Sequence, residues 1–395
     1  MLLALLAAEA GARLLAPREQ PIAPAPVDLN RYFSPEEIER GRRFARPQIA
    51  LGLARAAIDA GALALAVGRP PRRLASRFRH PALGGAATGA GLAVALSLPA
   101  LPLRAVARRR SLAVGLATQS WRGWAGDLVK AGAIEAALAA GGGAAVVAVT
   151  GRYPRHWWLP ASAGSVLFGA GLAALAPVVL DPVFNKFTPL PEGETRSDVL
   201  ELARAAGVKV GEVYSVDASR RTTAANAYVT GLGPTKRVVL YDMLLERYDR
   251  DEIRVVVAHE LAHVLGRDVI RGVVYAAMVA PAAALAVQRV SWSLSPERGT
   301  PAALPALAMA AGLVAVPTGL IGNRLSRAIE RRSDAYSLRL TGSADAFISF
   351  ERAIAVQNVA DLDPPRWLTS LLATHPPTAE RIGAAVSYSA VSSSS

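Results

Sequence analysis

The sequence predicts a mainly α-helical, multi-pass membrane protein of six to seven spans, with a small α/β domain inserted between them. Three observations predict this class: 52% of the residues are hydrophobic with a mean hydropathy of +0.28, apolar runs alternate with arginine-rich stretches, and one long polar segment interrupts them. An ordinary soluble protein is about 45–50% apolar, and about 20 apolar residues cross the ~30 Å hydrocarbon core of a bilayer. The predicted spans are 47–67, 81–103, 130–151, 159–181, 269–290 and 302–322.

The N-terminal segment, residues 1–17, is apolar but short for a span. It contains Glu9 and Arg13 and lacks a basic start, so it makes a poor signal peptide. Either a membrane anchor or a surface helix fits it. Each longer run, taken alone, also fits an alanine-rich buried helix of a soluble protein, and the recurrence of six such runs favours a membrane. Within the first span, Arg55 and Asp59 lie one helical turn apart, either paired toward a polar interior or near the interface.

The chain carries a net charge of +13, mostly from arginines in short loops that flank apolar runs. The positive-inside rule and anionic lipid head groups account for this pattern, so we expect a lipid bilayer and no nucleic acid as a partner. The rule favours a multi-pass protein of the cell membrane with the polar domain and the loop 104–129 in the cytoplasm. The loop 69–80, with five arginines, would then face outward. The absence of cysteine excludes disulfides, thiolate zinc sites and a cysteine nucleophile.

The polar segment, residues 182–268, is predicted to form an α/β domain after an N-terminal membrane region, residues 1–181. Helical spacing predicts a helix over 198–206 with Ser197 as its N-cap, and acidic residues predict the start of another near Asp251. Short strands are predicted at 213–216, 226–230 and 238–241. The rest divides into two spans within 269–322, C-terminal helices over 323–385 and a disordered, serine-rich tail at 386–395.

The motif His259-Glu260-Leu261-Ala262-His263 lies within an apolar helical pattern. Residues four apart share one face of a helix, so both imidazoles can point at one ion, and Glu260 can reach a water held on that ion. This arrangement is typical of a zinc hydrolase. A helix with surface histidines would also produce the pentapeptide, so further ligands are needed to decide.

A catalytic zinc usually has three protein ligands and one open position for water. Glu330 and Asp334 are four residues apart and so share a helix face. Glu330 is therefore a candidate third ligand, and Asp334 a candidate carboxylate that orients a ligating histidine. Ion pairing with the neighbouring arginines is the alternative for both residues.

His375 precedes two prolines, Pro376 and Pro377, which suit the first turn of a helix and hold the preceding residue extended. A rigidly presented histidine can donate to the oxyanion of a tetrahedral intermediate, whereas the plainer interpretation is an exposed residue at a helix start. His80 and His156 lie in basic loops beside spans and are assigned no chemistry.

Several separated motifs together resemble the zinc-dependent type I CAAX prenyl proteases and their bacterial relatives. The motifs follow one another in the order found in that family and extend over most of the chain. They lie at 32–41, 181–190, 216–220, 226–228, 236–242, 259–263, 326–334 and 375–381.

The resemblance implies helices that enclose a large intramembrane chamber, with a zincin-like domain at one end and one Zn²⁺ per chain. It implies that His259, His263 and Glu330 bind the metal and that Glu260 is the base. It also implies that Asp334 is the carboxylate that orients a ligating histidine, that His375 donates to the transition state, and that Arg381 has a structural or substrate-binding role. The implied substrate strand consists of Asn226, Ala227, Tyr228 and Val229, and Asn226 would also hold the scissile carbonyl.

The expected function is zinc-dependent hydrolysis of internal peptide bonds in peptide or membrane-protein substrates, lipidated if the likeness extends to the substrate. One alternative is a quality-control protease like the HtpX group, which cuts damaged membrane proteins without regard to lipid. Another is a non-enzymatic membrane protein with a structural zinc site. The intact Glu260 argues against the latter, because a structural site has no need of a base.

Overall fold

The computed structural model describes residues 1–75, 77–231 and 236–393, and they form long helices around a small sheet. The helices of the N-terminal half are α1 Leu2–Leu14, α2 Pro35–Gly68, α3 Arg72–Ala75, α4 Pro81–Ser97, α5 Leu101–Ala113, α6 Trp121–Arg152, α7 Trp158–Leu175 and α8 Asp181–Phe184. Those of the C-terminal half are α9 Glu194–Ala205, α10 Asp242–Arg247, α11 Arg250–Leu265, α12 Asp268–Leu294, α13 Leu304–Thr341, α14 Ala344–Gln357, α15 Arg366–Leu371 and α16 Thr378–Ser392. The strands are β1 Phe187–Pro189, β2 Glu212–Val216, β3 Ala227–Thr230 and β4 Arg237–Tyr241.

Within the described residues, five helices are long and apolar enough to cross a membrane, and a sixth span arises if the bent pair α4–α5 counts as one. Two of these helices are longer units, Trp158–Phe184 from α7 through α8 and Pro301–Thr341 with α13, and five of the predicted spans lie inside the five helices. The remaining one, 81–103, crosses a break at which α5 turns by 50° from α4. A run of apolar residues cannot reveal such a bend, because hydropathy carries no direction.

The N-terminal helix α1 has 13 residues, a rise of about 20 Å, which is less than the hydrocarbon core. It packs on the two long helices α12 and α13, where Ala4 contacts Ala286 and Val314 in a buried cluster. No seventh helix that could span a membrane is found in the part of the chain that the structure describes. Arg55 and Asp59 do lie within ion-pairing distance, at 3.7 Å.

Helices α4 and α6 approach each other closely through glycines, as the small residues of the spans predict. A Cβ atom at Gly89 would lie 2.2 Å from the backbone oxygen of Ala139, and one at Gly143 would lie 2.4 Å from that of Gly85. Side chains at these positions would force the two backbones apart.

The sheet has the order β1-β2-β4-β3, with β2 and β4 parallel and the other pairs antiparallel. The three predicted strands are found to within one residue at each end, whereas the edge strand β1 was not expected. Strand β3 lies at the opposite edge and pairs with β4 alone among the described strands.

Helix α11 begins where the sequence predicts and carries a capping box. Asp249 accepts from the backbone N–H of Glu252, and Glu252 accepts from that of Asp249, which satisfies two donors that the helix leaves free. The buried face of α11 packs on α13, where the hydroxyl of Ser337 donates to the carbonyl of Val255 at 2.7 Å. This packing brings the residues near 260 and 330 together.

Four sequence-based assignments are wrong. Helix α9 begins at Glu194 after Gly193, so Ser197 lies inside the helix and is not its N-cap. The predicted loop 104–129 contains most of α5 and the start of α6. The boundary at 322–323 falls within α13, which runs without interruption from a span into the catalytic region.

The predicted disordered tail, 386–395, is helical as far as Ser392. Val386 and Tyr388 pack on the buried clusters of the catalytic region, and the hydroxyl of Ser392 donates to the carbonyl of Tyr388. These apolar contacts outweigh the serine-rich composition. Residues 394–395 lie outside the described residues.

Candidate metal centre and active site

Helix α11 places His259 and His263 one turn apart on the same face. Their Nε2 atoms lie 3.2 Å from each other. His259 is buried, with a side chain 9% exposed, and His263 is 26% exposed. The two imidazoles therefore converge on one point, with one ring inside the protein and the other at the rim of the site.

Glu330 reaches the same point from α13. Its Oε2 lies 3.3 Å from Nε2 of His259, and its Oε1 lies 3.7 Å from Nε2 of His263. The candidate ligand atoms of the three residues all fall within 4.8 Å of one another. Because Glu330 follows His263 by more than 60 residues, only the packing of α13 on α11 brings this carboxylate to the histidines.

The donor set fits a zinc ion. Two imidazole nitrogens bound to one tetrahedral zinc at about 2.0–2.1 Å lie about 3.3 Å apart, close to the separation seen here. In addition, Oε2 of Glu330 is buried and accepts no hydrogen bond within the described residues. Such an atom is costly to bury unless it binds a cation.

Charged side chains support the Nδ1 side of the His259 ring. Its Nδ1 lies 2.8 Å from Oδ1 of Asp334, and Arg381 donates two hydrogen bonds to Asp334, at 2.6 and 2.9 Å. Arg381 also lies 2.7 Å from the buried carboxylate of Glu351. Burial raises the pKa of the Glu351 carboxyl to about 7. The guanidinium of Arg381 offsets this rise only in part, because Asp334 shares its charge. Sequence reasoning missed Glu351, which no local motif marks.

His263 has a separate support that sequence reasoning also missed. Its Nδ1 lies 3.0 Å from Oδ2 of Asp268, the first residue of α12. Arg332 lies 2.5 Å from the same carboxylate and donates to the carbonyl of Ala262 at 3.1 Å. A Cβ atom at position 266 would lie 1.7 Å from this guanidinium, so Gly266 leaves the space that Arg332 occupies. The only sequence signal was an aspartate just beyond the motif.

Glu260 lines a cavity of about 680 Å³ that also contains Asn226, His259, His375 and Arg381. Burial raises the pKa of the Glu260 carboxyl. The candidate base and the candidate oxyanion donors thus face one space, which is large enough to hold part of a peptide.

His375 lies just before α16, after the loop that follows α15. Its Nε2 is 3.4 Å from Oε2 of Glu330, and its Nδ1 is 2.9 Å from the hydroxyl of Thr374. The ring is 64% exposed to the cavity and its surroundings. Pro377 is the N-cap of α16, as the paired prolines predict.

Asn226 immediately precedes the edge strand β3, and its carbonyl accepts from the N–H of Tyr241 on β4. Along β3, Ala227 and Val229 face the main core, and Tyr228 packs on the other side of the sheet. Strand β3 packs against α11, which carries the candidate histidine ligands. His80 and His156, to which no chemistry was assigned, are at the start of α4 and in the loop before α7.

Comparisons with known proteins agree with this geometry. The model of peptidase family M48 matches residues 189–389, about half of the chain. A protein of Bacillus subtilis described as an uncharacterized metalloprotease, YhfN, is 31% identical over 300 residues, which cover 74% of this chain and 70% of that protein. The chain belongs to peptidase family M48.

Other relatives bear the name CAAX prenyl protease 1. The homologue from rice is 31% identical over 54% of this chain and 52% of its own length, and the yeast protein from Saccharomyces cerevisiae is 43% identical over 22% and 20%. The chain thus spans about half or less of these relatives. The crystal structure of Ste24p from S. mikatae has a TM-score of 0.80 at 18% identity and covers 97% of this chain and 95% of that one, so the fold is shared.

The chain is therefore an integral membrane metalloprotease, as the resemblance implies, and its activity depends on a metal. The mainly α-helical membrane fold with a small sheet in the catalytic region is confirmed. The enclosed chamber and the roles of individual residues stay predictions.

Proposed function

We propose that this protein is a zinc metalloendopeptidase whose metal is held by His259, His263 and Glu330. The observation that carries the proposal is the convergence of their ligand atoms within 4.8 Å beside a cavity that Glu260 lines. Zinc lowers the pKa of a bound water toward ~7 and polarises the substrate carbonyl when it is present.

Glu260 is the general base in this proposal. It takes the proton of the attacking water and delivers it to the leaving amine, so that its carboxylate is restored at the end of the cycle. Its place in the sequence next to His259 keeps the carboxyl beside the metal ligands without making it one of them. A partly buried carboxyl with a raised pKa also holds the transferred proton more readily than an exposed one.

His375 and Asn226 are the proposed donors to the oxyanion that forms on the scissile carbonyl. Both line the cavity of Glu260, and removing one such donor typically costs ~10²–10³ in rate. The substrate backbone pairs with the free edge of β3, residues 227–229, in the manner of an added strand. Asp334 and Arg381 orient His259.

We further propose that the substrates are prenylated peptides or proteins with the cleavage site close to the lipid. The names of the rice and yeast relatives support this substrate class, and the helices long and apolar enough to cross a membrane support a site near the bilayer. The arginine pattern supports a cell-membrane protein whose catalytic domain faces the cytoplasm.

The test of the chemistry is Glu260→Gln in the purified full-length protein. We expect peptide cleavage to fall by ~10²–10⁴, with the zinc content of the purified protein unchanged. Glu246→Gln, at an exposed position on α10 outside the cavity, is the matched control and should leave cleavage intact. Retained cleavage in the Glu260 variant would contradict the assignment.

The test of the substrate class compares one peptide with and without a farnesyl group on its cysteine. Faster cleavage of the farnesylated peptide is expected. Equal cleavage of both would overturn the prenyl requirement and favour quality-control proteolysis, while leaving the zinc chemistry in place.

A further inference from the structure

A second site lies outside the catalytic cavity, where the start of α2, the end of α5 and the catalytic domain meet. Two adjoining cavities of about 630 and 460 Å³ share Arg40 and Val114 in their walls. We call the pair the arginine cleft. Its arginines come from four different helices: Arg40 and Arg43 from α2, Arg110 from α5, Arg247 from α10 and Arg352 from α14.

Most of this positive charge has no carboxylate partner in the described part of the chain. Arg40 donates to the carbonyl of Val114, Arg110 to that of Arg43 and Arg352 to that of Tyr32, and none of these carbonyls carries a full charge. Among the described residues, no carboxylate lies within ion-pairing distance of Arg247 either. The five arginines outnumber the three glutamates of the two cavities, Glu36, Glu37 and Glu39, so the cleft keeps a positive excess of two charges, which attracts an anion.

The glutamates of the cleft are already engaged. Glu37 accepts from the backbone N–H of Ser34 in the capping box of α2, and Glu39 pairs with Arg43 and Arg42. Glu36 lies in the first turn of α2, where a negative charge is stabilised by the helix dipole. These carboxylates therefore serve the helix start and leave Arg40, Arg110, Arg247 and Arg352 to a ligand.

The two cavities differ in character. The larger one brings Phe44, Ala113 and Pro35 together with Arg40 and Arg110. The smaller one is lined by arginines from the catalytic domain and by the polar side chains of Thr223 and Gln357. An amphipathic ligand matches this pairing, with its apolar part in the first cavity and its charged part near Arg40 and in the second.

The arginines of the cleft lie at the ends of apolar helices. Arg40 and Arg43 precede the apolar part of α2, and α5 belongs to the pair of apolar helices that is bent by 50°. The residues after α5 form backbone hydrogen bonds with the catalytic domain. The N–H of Thr118 donates to the carbonyl of Arg221, and the N–H of Thr223 donates to the carbonyl of Leu116. The cleft is thus on the same side of the membrane as the candidate active site.

From this geometry we infer that the arginine cleft binds the phosphodiester head group of an anionic phospholipid. Arginine suits this role because its planar fork can donate two hydrogen bonds to one phosphate. The stretch from Ala60 to Gly126 contains ten arginines and no aspartate or glutamate, so nothing within it competes with the lipid for the guanidinium groups of α5.

The test uses the full-length protein in phosphatidylcholine vesicles with and without phosphatidylglycerol, and counts bound phosphatidylglycerol by native mass spectrometry. An arginine near an anionic surface contributes about 1 kcal/mol, which is about a fivefold change in affinity per arginine. We therefore expect Arg40→Gln together with Arg247→Gln, both exposed side chains, to weaken binding by about 30-fold.

The matched control is Arg109→Gln together with Arg122→Gln, which removes the same two charges from exposed positions of α5 and α6 outside both cavities. It should leave phosphatidylglycerol binding unchanged. Equal losses in the two double variants would overturn the site, because bulk surface charge would then explain the binding. Competition by inorganic phosphate at the concentration of the lipid would overturn the lipid assignment, since the apolar cavity would contribute nothing. A thermal unfolding curve of each variant in detergent shows that the fold is retained.

Discussion

The two histidines of one helix are supported in different ways. Behind His259 lie the buried carboxylates of Asp334 and Glu351 and the largely buried guanidinium of Arg381, at the junction of α13, α14 and α16. Behind His263 lie Asp268 and Arg332, which are themselves little exposed, but the His263 side chain is about three times as exposed as that of His259. Each histidine thus has an aspartate, and each aspartate has an arginine.

This difference indicates which side of the candidate metal site is the more rigid. A charge pair that is cut off from water is expensive to break, because the partner left behind is buried without compensation. Asp334 is less exposed than Asp268, and the ring of His263, unlike that of His259, is open to water that can replace a lost partner. We therefore expect the His259 side to fix the position of the metal and the His263 side to tolerate change.

The largest effect is expected for Asp334→Asn. The amide cannot balance the charge of Arg381 and no longer fixes the ring of His259, so zinc affinity should fall by about 100-fold. Competition with a chelating dye measures the dissociation constant of zinc. Circular dichroism of the metal-free protein separates a loss of affinity from a loss of fold. A fall of less than a few fold would refute the rigid role given to this side.

A smaller effect is expected for Asp268→Asn, measured in the same competition assay. His263 keeps its position on α11, and water can replace the lost carboxylate at the rim, so affinity should fall by about 10-fold. Asp345→Asn, in the first turn of α14 outside both supports, is a matched control. If the Asp268 variant lost more zinc than the Asp334 variant, the comparison between the two sides would be reversed.

The smallest effect is a change in pH dependence at Glu351. Burial raises the pKa of its carboxyl in the folded protein from 4.5 to about 7. The folded state therefore holds this proton more tightly than the unfolded state. The contribution to stability is complete below pH 4.5 and is lost as the pH rises toward 7, by at most about 1.4 kcal/mol per pH unit.

Glu351→Gln should remove this slope. The free energy of unfolding of the metal-free protein, measured between these pH values for the wild type and the variant, gives the difference directly. Parallel curves for the two proteins would show that Glu351 is already ionised in the folded state throughout this range.

The sequence predicted much of the site because most of its chemistry is local. The spacing of His259 and His263 fixes them on one helix face in any fold that keeps α11 helical. The same reasoning placed Glu330 and Asp334 on one face of α13. In the structure Glu330 meets the histidines and Asp334 lies behind His259, as the motifs implied.

The support of His263 could not be predicted in this way. Asp268 follows a turn at Gly266 and Arg267, and Arg267 adopts a positive φ of 51°. No regular period links Asp268 to His263 across such a turn. Glu351 and the arginines of the cleft lie still further along the sequence from the residues that they contact, so these contacts depend on how several helices pack.

Periodicity and hydropathy thus determined by themselves that the chain has apolar spans, a capped helix with two histidines and three short strands. The tertiary structure decided that α5 bends away from α4, that β3 is an edge strand, and that two aspartate–arginine pairs lie behind the histidines. The physical reason is the distance along the sequence over which each kind of rule acts. Helix and strand geometry fix neighbours within a turn or two, whereas contacts between elements depend on side-chain packing, which the order of residues along the chain does not express.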